Sequence, residues 1–217
     1  MSSSDYESFI RANTTIVSPP LCPEIRLYLA TEITPLWHAT EASLERSQLP
    51  PPYWAFAWAG GQALARHILD HPQLVAGKSV LDIGAGCGLV AIAAARAGAR
   101  VTAAELDPFA CAAIAMNAGL NKVSLAIETT DLLAREPASW QAALAGDMCY
   151  ERPLADRLIP WLQWLARGGA LVLLGDPGLA YLPKTGLEEV TRSIVKTSLE
   201  LEDRESRDTV VWRMTPV

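Results

Sequence analysis

The sequence lacks any stretch approaching the ~20 consecutive apolar residues of a membrane-spanning helix, so no membrane association is expected. No secretory leader is expected either. Residues 1–8 hold Asp5 and Glu7 without an apolar core, and the Arg-rich, acid-poor character of a transit peptide is not there. These absences predict a soluble, cytoplasmic protein. Cysteine is scarce: Cys22, Cys87, Cys111 and Cys149 form no C-x-x-C pair, and His38, His67 and His71 do not join them at ligand spacings. That pattern predicts reduced structural thiols and no metal. Basic charge is in deficit, with 18 Lys and Arg against 24 Asp and Glu and a formal charge of −6. Such a chain displaces counterions poorly from phosphate backbones, so no nucleic-acid partner is expected. A cationic or neutral partner suits it better. Internal repeats and low-complexity segments are also missing.

What is present is enough apolar material for one core: half of the 217 residues are hydrophobic. Prolines 19, 20 and 23 make residues 14–23 irregular, and Pro23 suits the first turn of a short helix over residues 24–29. A Pro-rich break at 49–52 precedes a dense aromatic stretch at 53–58 and a helix over 62–70. From Lys78 strand and helix alternate: strands at 79–83, 101–105, 125–129, within 140–148 and at 170–174, helices at 89–97, 108 to about 117, and 153–166. Two more strand-like segments, 194–200 and 209–214, flank a charged turn at 202–208. The pattern predicts an α/β, Rossmann-like, mostly parallel seven-stranded sheet with helices on both faces and an antiparallel C-terminal hairpin. Residues 1–75 read as an extension and helices covering the site, and residues 76–217 as the core, in one structural unit.

The first core strand ends in Asp82-Ile83-Gly84-Ala85-Gly86-Cys87-Gly88 and runs straight into a helix, the place where a nucleotide-type ligand meets a doubly wound sheet. Glycines there let the backbone turn and approach the ligand without a Cβ clash. A dinucleotide site wants G-x-G-x-x-G, which would put the third glycine at Leu89; here it falls one residue earlier, at Gly88. A carboxylate follows at the end of the second strand, Glu105, suited to accept both ribose hydroxyls. G-x-G-x-G after an acidic strand end resembles motif I of the class I S-adenosylmethionine (AdoMet) methyltransferases. The resemblance implies AdoMet as cofactor, with Asp82, Gly84, Gly86, Gly88 and Glu105 in its site. It also places Asp131, after the third strand, at the adenine amino group. A turn or helix-cap role for Asp131 stays open.

The fourth strand ends in Asp147-Met148-Cys149-Tyr150, where topology places the reacting group. No prolines separate Asp147 from Tyr150, unlike the motif of enzymes that methylate planar amide or base nitrogens. D-x-x-Y resembles the seven-β-strand protein lysine methyltransferases. Pro23 to Leu27, Pro52 to Phe56, Gly60-Gly61-Gln62 and Gly175-Asp176-Pro177-Gly178 are similar to the branch that methylates the electron transfer flavoprotein β-subunit. The likeness runs from about Arg11 to Met214, with two departures: Ala59 stands where proline is expected and Leu179 where arginine is expected.

That resemblance implies a monomeric enzyme whose partner is a protein substrate, the electron transfer flavoprotein β-subunit. Methyl transfer from a sulfonium is an in-line displacement, governed by positioning. Asp147 and Tyr150 are the expected catalytic pair, aiming the lysine amine. Trp58 is expected against the cofactor, with Trp54 and Phe56 along the substrate channel; the stretch could equally be a packed lid. Three alternatives remain: a methyltransferase of a ribosomal protein or small metabolite, a nicotinamide-dependent dehydrogenase, and a non-catalytic AdoMet-binding module.

Overall fold

The computed structural model describes residues 3–31, 36, 51–137, 139–197 and 204–216. The chain opens with a helix, α1 (Ser3–Asn13), followed by a two-stranded antiparallel ribbon of β1 (Thr15–Val17) and β2 (Leu27–Leu29). The proline-rich segment thus holds a short strand where irregular chain is expected. β2 replaces the helix expected over residues 24–29. Leu27 and Leu29 are buried and Tyr28 between them is half-buried, a period of two. Tertiary partners settle the choice. The Asn117 side chain accepts the Tyr28 N–H at 2.8 Å, and Asn121 both accepts the Arg26 N–H at 3.0 Å and donates to its carbonyl at 2.6 Å.

A 3₁₀ turn (Tyr53–Ala55) leads into α2 (Ala59–Asp70), which starts three residues before the expected position and takes Gly60 and Gly61 into its first turn. The core then alternates: β3 (Ser79–Ile83), α3 (Leu89–Arg96), β4 (Arg100–Ala104), α4 (Pro108–Leu120), β5 (Ala126–Glu128), β6 (Ala142–Gly146), α5 (Arg152–Arg167), β7 (Leu171–Asp176), β8 (Leu187–Lys196) and β9 (Ser206–Met214). The seven-stranded sheet has the order β5-β4-β3-β6-β7-β9-β8, with β9 antiparallel to both β7 and β8. β8 begins seven residues before the expected 194. Residues 198–203, which hold the end of the expected strand 194–200 and the start of the expected turn 202–208, lie outside the described residues.

Strand alternation sends side chains to two layers. Val80, Leu144 and Leu173 pack under Leu64 and Ile68 of α2 and Ile92 of α3. On the other face Leu81, Ala143 and Val172 meet Leu158 and Leu162 of α5. A third cluster joins Ile10 of α1 to Trp54 and to Phe109 and Ala113 of α4, holding the N-terminal segment against the sheet's helical layer.

Candidate active site

β3 pairs with β4 on one side and β6 on the other, so successive crossovers leave it in opposite directions. This is the switch point where open α/β sheets bind ligands. A cavity of about 550 Å³ opens there. Of the residues singled out above, Gly84, Gly86, Glu105, Asp131, Asp147, Tyr150, Trp54 and Trp58 line it; Asp82, Gly88 and Phe56 are not among its lining residues.

Asp82 works from behind the glycine loop. Its Oδ2 accepts the Ala91 N–H at 2.8 Å, the third residue of α3. The N-cap, Gly88, sits at φ +80° with no side chain to offer, so Asp82 takes over one orphan donor of the first turn. The carboxyl is 1 % exposed and its Oδ1 has no partner. Burial pushes its pKa up to about 8; the Ala91 hydrogen bond counters this in part, and the charge of Glu105 adds to it. Gly84 sits at φ +67°, in the left-handed region that favours glycine, and the end of the Met148 side chain packs where a Cβ would stand.

Glu105 is fixed by three backbone donors. Its Oε2 accepts the Gly86 N–H at 3.0 Å, and its Oε1 accepts Leu106 N–H at 2.7 Å and Asp107 N–H at 3.2 Å. Asp131 takes the capping role considered for it and also stands in the cavity wall. Oδ1 accepts the Leu133 N–H at 3.0 Å and caps a 3₁₀ turn (Leu132–Ala134). Its Oδ2 lies 2.6 Å from Arg157, whose guanidinium holds the carboxyl below the ordinary aspartate range.

At Asp147 the structure adds a contact that pattern reading does not reveal. The residue adopts φ +57°, and its N–H donates to Gly175 O at 2.9 Å. Oδ1 accepts the Gly60 N–H at 2.8 Å and Oδ2 the Gly61 N–H at 2.6 Å. The carboxylate therefore sits on the positive end of α2 and satisfies two of its orphan donors. Glycines permit the approach: a Cβ on Gly60 or on Gly175 would overlap the other's carbonyl oxygen, and one on Gly146 would lie 2.9 Å from Gly61 Cα. The Gly60-Gly61 and Gly175 motifs, read separately in the sequence, are two sides of one seam.

The aromatic stretch divides. Trp54 is 3 % exposed and stacks on Phe109 at 6.3 Å, with Tyr6 and Phe9 against the same ring. Phe56 contacts Trp58 edge-on at 5.6 Å. Trp58 is the N-cap of α2, and its Nε1–H donates to Tyr53 O at 2.8 Å. Two residues escape pattern reading. Tyr53 lines the cavity, and buried Asn117 donates to Cys87 O at 2.8 Å, tying the glycine loop to β2. A polar residue inside the predicted span of α4 gives no sign of either partner. Leu179, where arginine was expected, also lines the cavity. Its N–H and that of Gly178 each donate to Asp176 Oδ1 at 2.7 Å. Among the described residues no cluster of three or more His, Cys, Asp or Glu is arranged to hold a metal ion.

Comparison with known proteins agrees with this geometry. Residues 63–145 match the family model for ribosomal protein L11 methyltransferase. The crystal structure of magnesium protoporphyrin IX methyltransferase from Synechocystis PCC 6803, solved with bound SAM, superposes with a TM-score of 0.53 at 18 % identity, covering 72 % of this chain and 80 % of that one. At that identity the likeness is one of fold. The electron transfer flavoprotein beta subunit lysine methyltransferase of Xenopus laevis is 40 % identical over 96 % of this chain and 87 % of its own length. The Danio rerio protein of the same name is 41 % identical over 98 % and 84 %. With identity at this level along nearly the whole of both chains, the protein belongs to the family of electron transfer flavoprotein β-subunit lysine methyltransferases.

Proposed function

We propose that the protein transfers methyl groups from AdoMet to lysine side chains of the electron transfer flavoprotein β-subunit. One observation carries this reading: the Asp147–Tyr150 segment at the end of β6 opens onto the same cavity as the glycine loop and Glu105. The residues fit the cofactor. Gly84 and Gly86 present bare backbone, Glu105 offers a carboxylate held in place for a ribose diol, and Asp131 stands at the far wall. AdoMet, when bound, supplies a methyl group made electrophilic by its sulfonium.

The rest is the work of this chain. A lysine amine must lose its proton to attack, and a pKa near ~10.4 leaves only about one in a thousand neutral near physiological pH. Desolvation inside the cavity lowers that pKa. Asp147 acts in the other sense, attracting the cationic form, so its part is to bind and aim the amine. The two α2 N–H groups hold its carboxylate rigid at the cavity wall. Tyr150, 41 % exposed at the mouth, offers a ring face and a hydroxyl. With AdoMet held by the glycine loop and Glu105, Asp147 and Tyr150 would aim the nitrogen lone pair in line with the methyl carbon and its sulfur leaving group. The amine's proton passes to water at the open mouth. The test is labelling: in a hypomethylated lysate given enzyme and labelled AdoMet, label should appear on lysine of that β-subunit. Label on a ribosomal protein, a small metabolite, glutamine or nucleic acid instead would overturn the assignment.

A further inference from the structure

Tyr53 is 50 % exposed although it lines the cavity that holds Asp147. Its ring centroid lies 5.6 Å from that of Tyr150, tilted by 55°, and 6.2 Å from that of Trp58. The backbone beneath it is fixed: its N–H donates to Pro51 O at 2.8 Å and its carbonyl accepts the Trp58 indole N–H at 2.8 Å. Two large rings therefore stand half in solvent at the rim of a cavity whose lining carries Glu105, Asp107, Asp131 and Asp147 against one guanidinium, Arg207. The ligand that completes such a rim has an apolar stem and a cationic head, which describes a lysine side chain.

We propose that Tyr53 is a specificity-determining residue for the acceptor: its ring and that of Tyr150 flank the lysine stem and hold the ammonium as methyl groups accumulate on it. The inference rests on the lysine methyltransferase reading. Each added methyl enlarges the head and weakens its hydration while the charge persists in the ammonium form. A ring face then gains relative to water, so the pair favours return of a partly methylated lysine for another transfer.

The test uses full-length enzyme, purified electron transfer flavoprotein β-subunit and intact-mass spectrometry. Tyr53→Phe keeps the ring and should match the wild type. Tyr53→Ala should raise KM for the protein substrate by about tenfold and shift products toward monomethyl-lysine. AdoMet affinity by calorimetry should stay within about twofold, because the cofactor's expected contacts, Trp58 apart, lie at the ends of β3, β4 and β5 and in the loops after them. Tyr53→Leu repeats the comparison if the alanine variant melts early. A Tyr53→Ala enzyme with wild-type KM and product pattern, or one that loses AdoMet affinity in step with turnover, overturns the inference alone. A wild-type enzyme that methylates no lysine overturns the underlying reading and this inference with it.

Discussion

Glu105 shows how a residue legible in the sequence acquires its chemistry from the backbone around it. Three N–H groups aim its carboxylate, which on the proposed cofactor reading gives ribose hydroxyls an acceptor that needs no reordering. Glu105→Ala should weaken AdoMet binding by about 1.5–3 kcal/mol, the scale for hydrogen bonds to a charged group; unchanged affinity by calorimetry would remove Glu105 from the site. Asp82 makes a different prediction. Its carboxyl titrates near 8 in the folded protein and near ~3.9 in an unfolded chain. Between those values the folded state holds a proton that the unfolded state has released, so stability falls as pH rises through the window. Asp107 and Asp176 are shifted upward in the same sense by burial. Asp82→Asn, neutral throughout, removes the Asp82 share. Its melting temperature should fall less steeply than the wild type's between about pH 5 and about pH 9. Parallel profiles would show that Asp82 carries no such penalty.

At the scale of elements, the seam between α2 and the ends of β6 and β7 is the feature that joins cofactor side to acceptor side. Gly60 and Gly61 are adjacent in sequence but differ in role. A Cβ on Gly60 runs into the Gly175 carbonyl, whereas one on Gly61 meets nothing nearer than Asp147 Oδ2 at 3.7 Å. Gly60→Ala should therefore cost about 3 kcal/mol or more by overpacking against backbone. Gly61→Ala should stay within about 1 kcal/mol, helped by alanine's helix propensity. Urea unfolding separates the two, and equal losses would mean the seam is not as close as described. The β3–loop–α3 unit could be read directly because its period, glycines and flanking carboxylates are all local. The seam could not, since the Gly60–Asp147 bond spans 87 positions. Residues 24–29 look helical in isolation for a related reason: the backbone partners of β2 are Asn117 and Asn121, 89 and 95 positions away. Tyr53 is not legible as a rim residue because six aromatic and alanine residues in a row give no sign of which ring reaches solvent.

For the whole molecule, the reversal of strand order at β3 opens the cavity, and Trp54, backed by Ile10 of α1, forms part of its wall. Gly84, Gly86 and Glu105 on one side, and Asp147, Tyr150, Tyr53, Trp54 and Trp58 on the other, then face a common space. If this space joins AdoMet to a lysine of a folded protein, purified components should suffice for the reaction. Purified enzyme, AdoMet and unmethylated electron transfer flavoprotein β-subunit are mixed, and the product is mapped by peptide mass spectrometry. Mass increments of whole methyl groups are expected on lysine, dependent on AdoMet and abolished by heat-inactivating the enzyme. An unmodified β-subunit, or methyl groups on residues other than lysine, would contradict it.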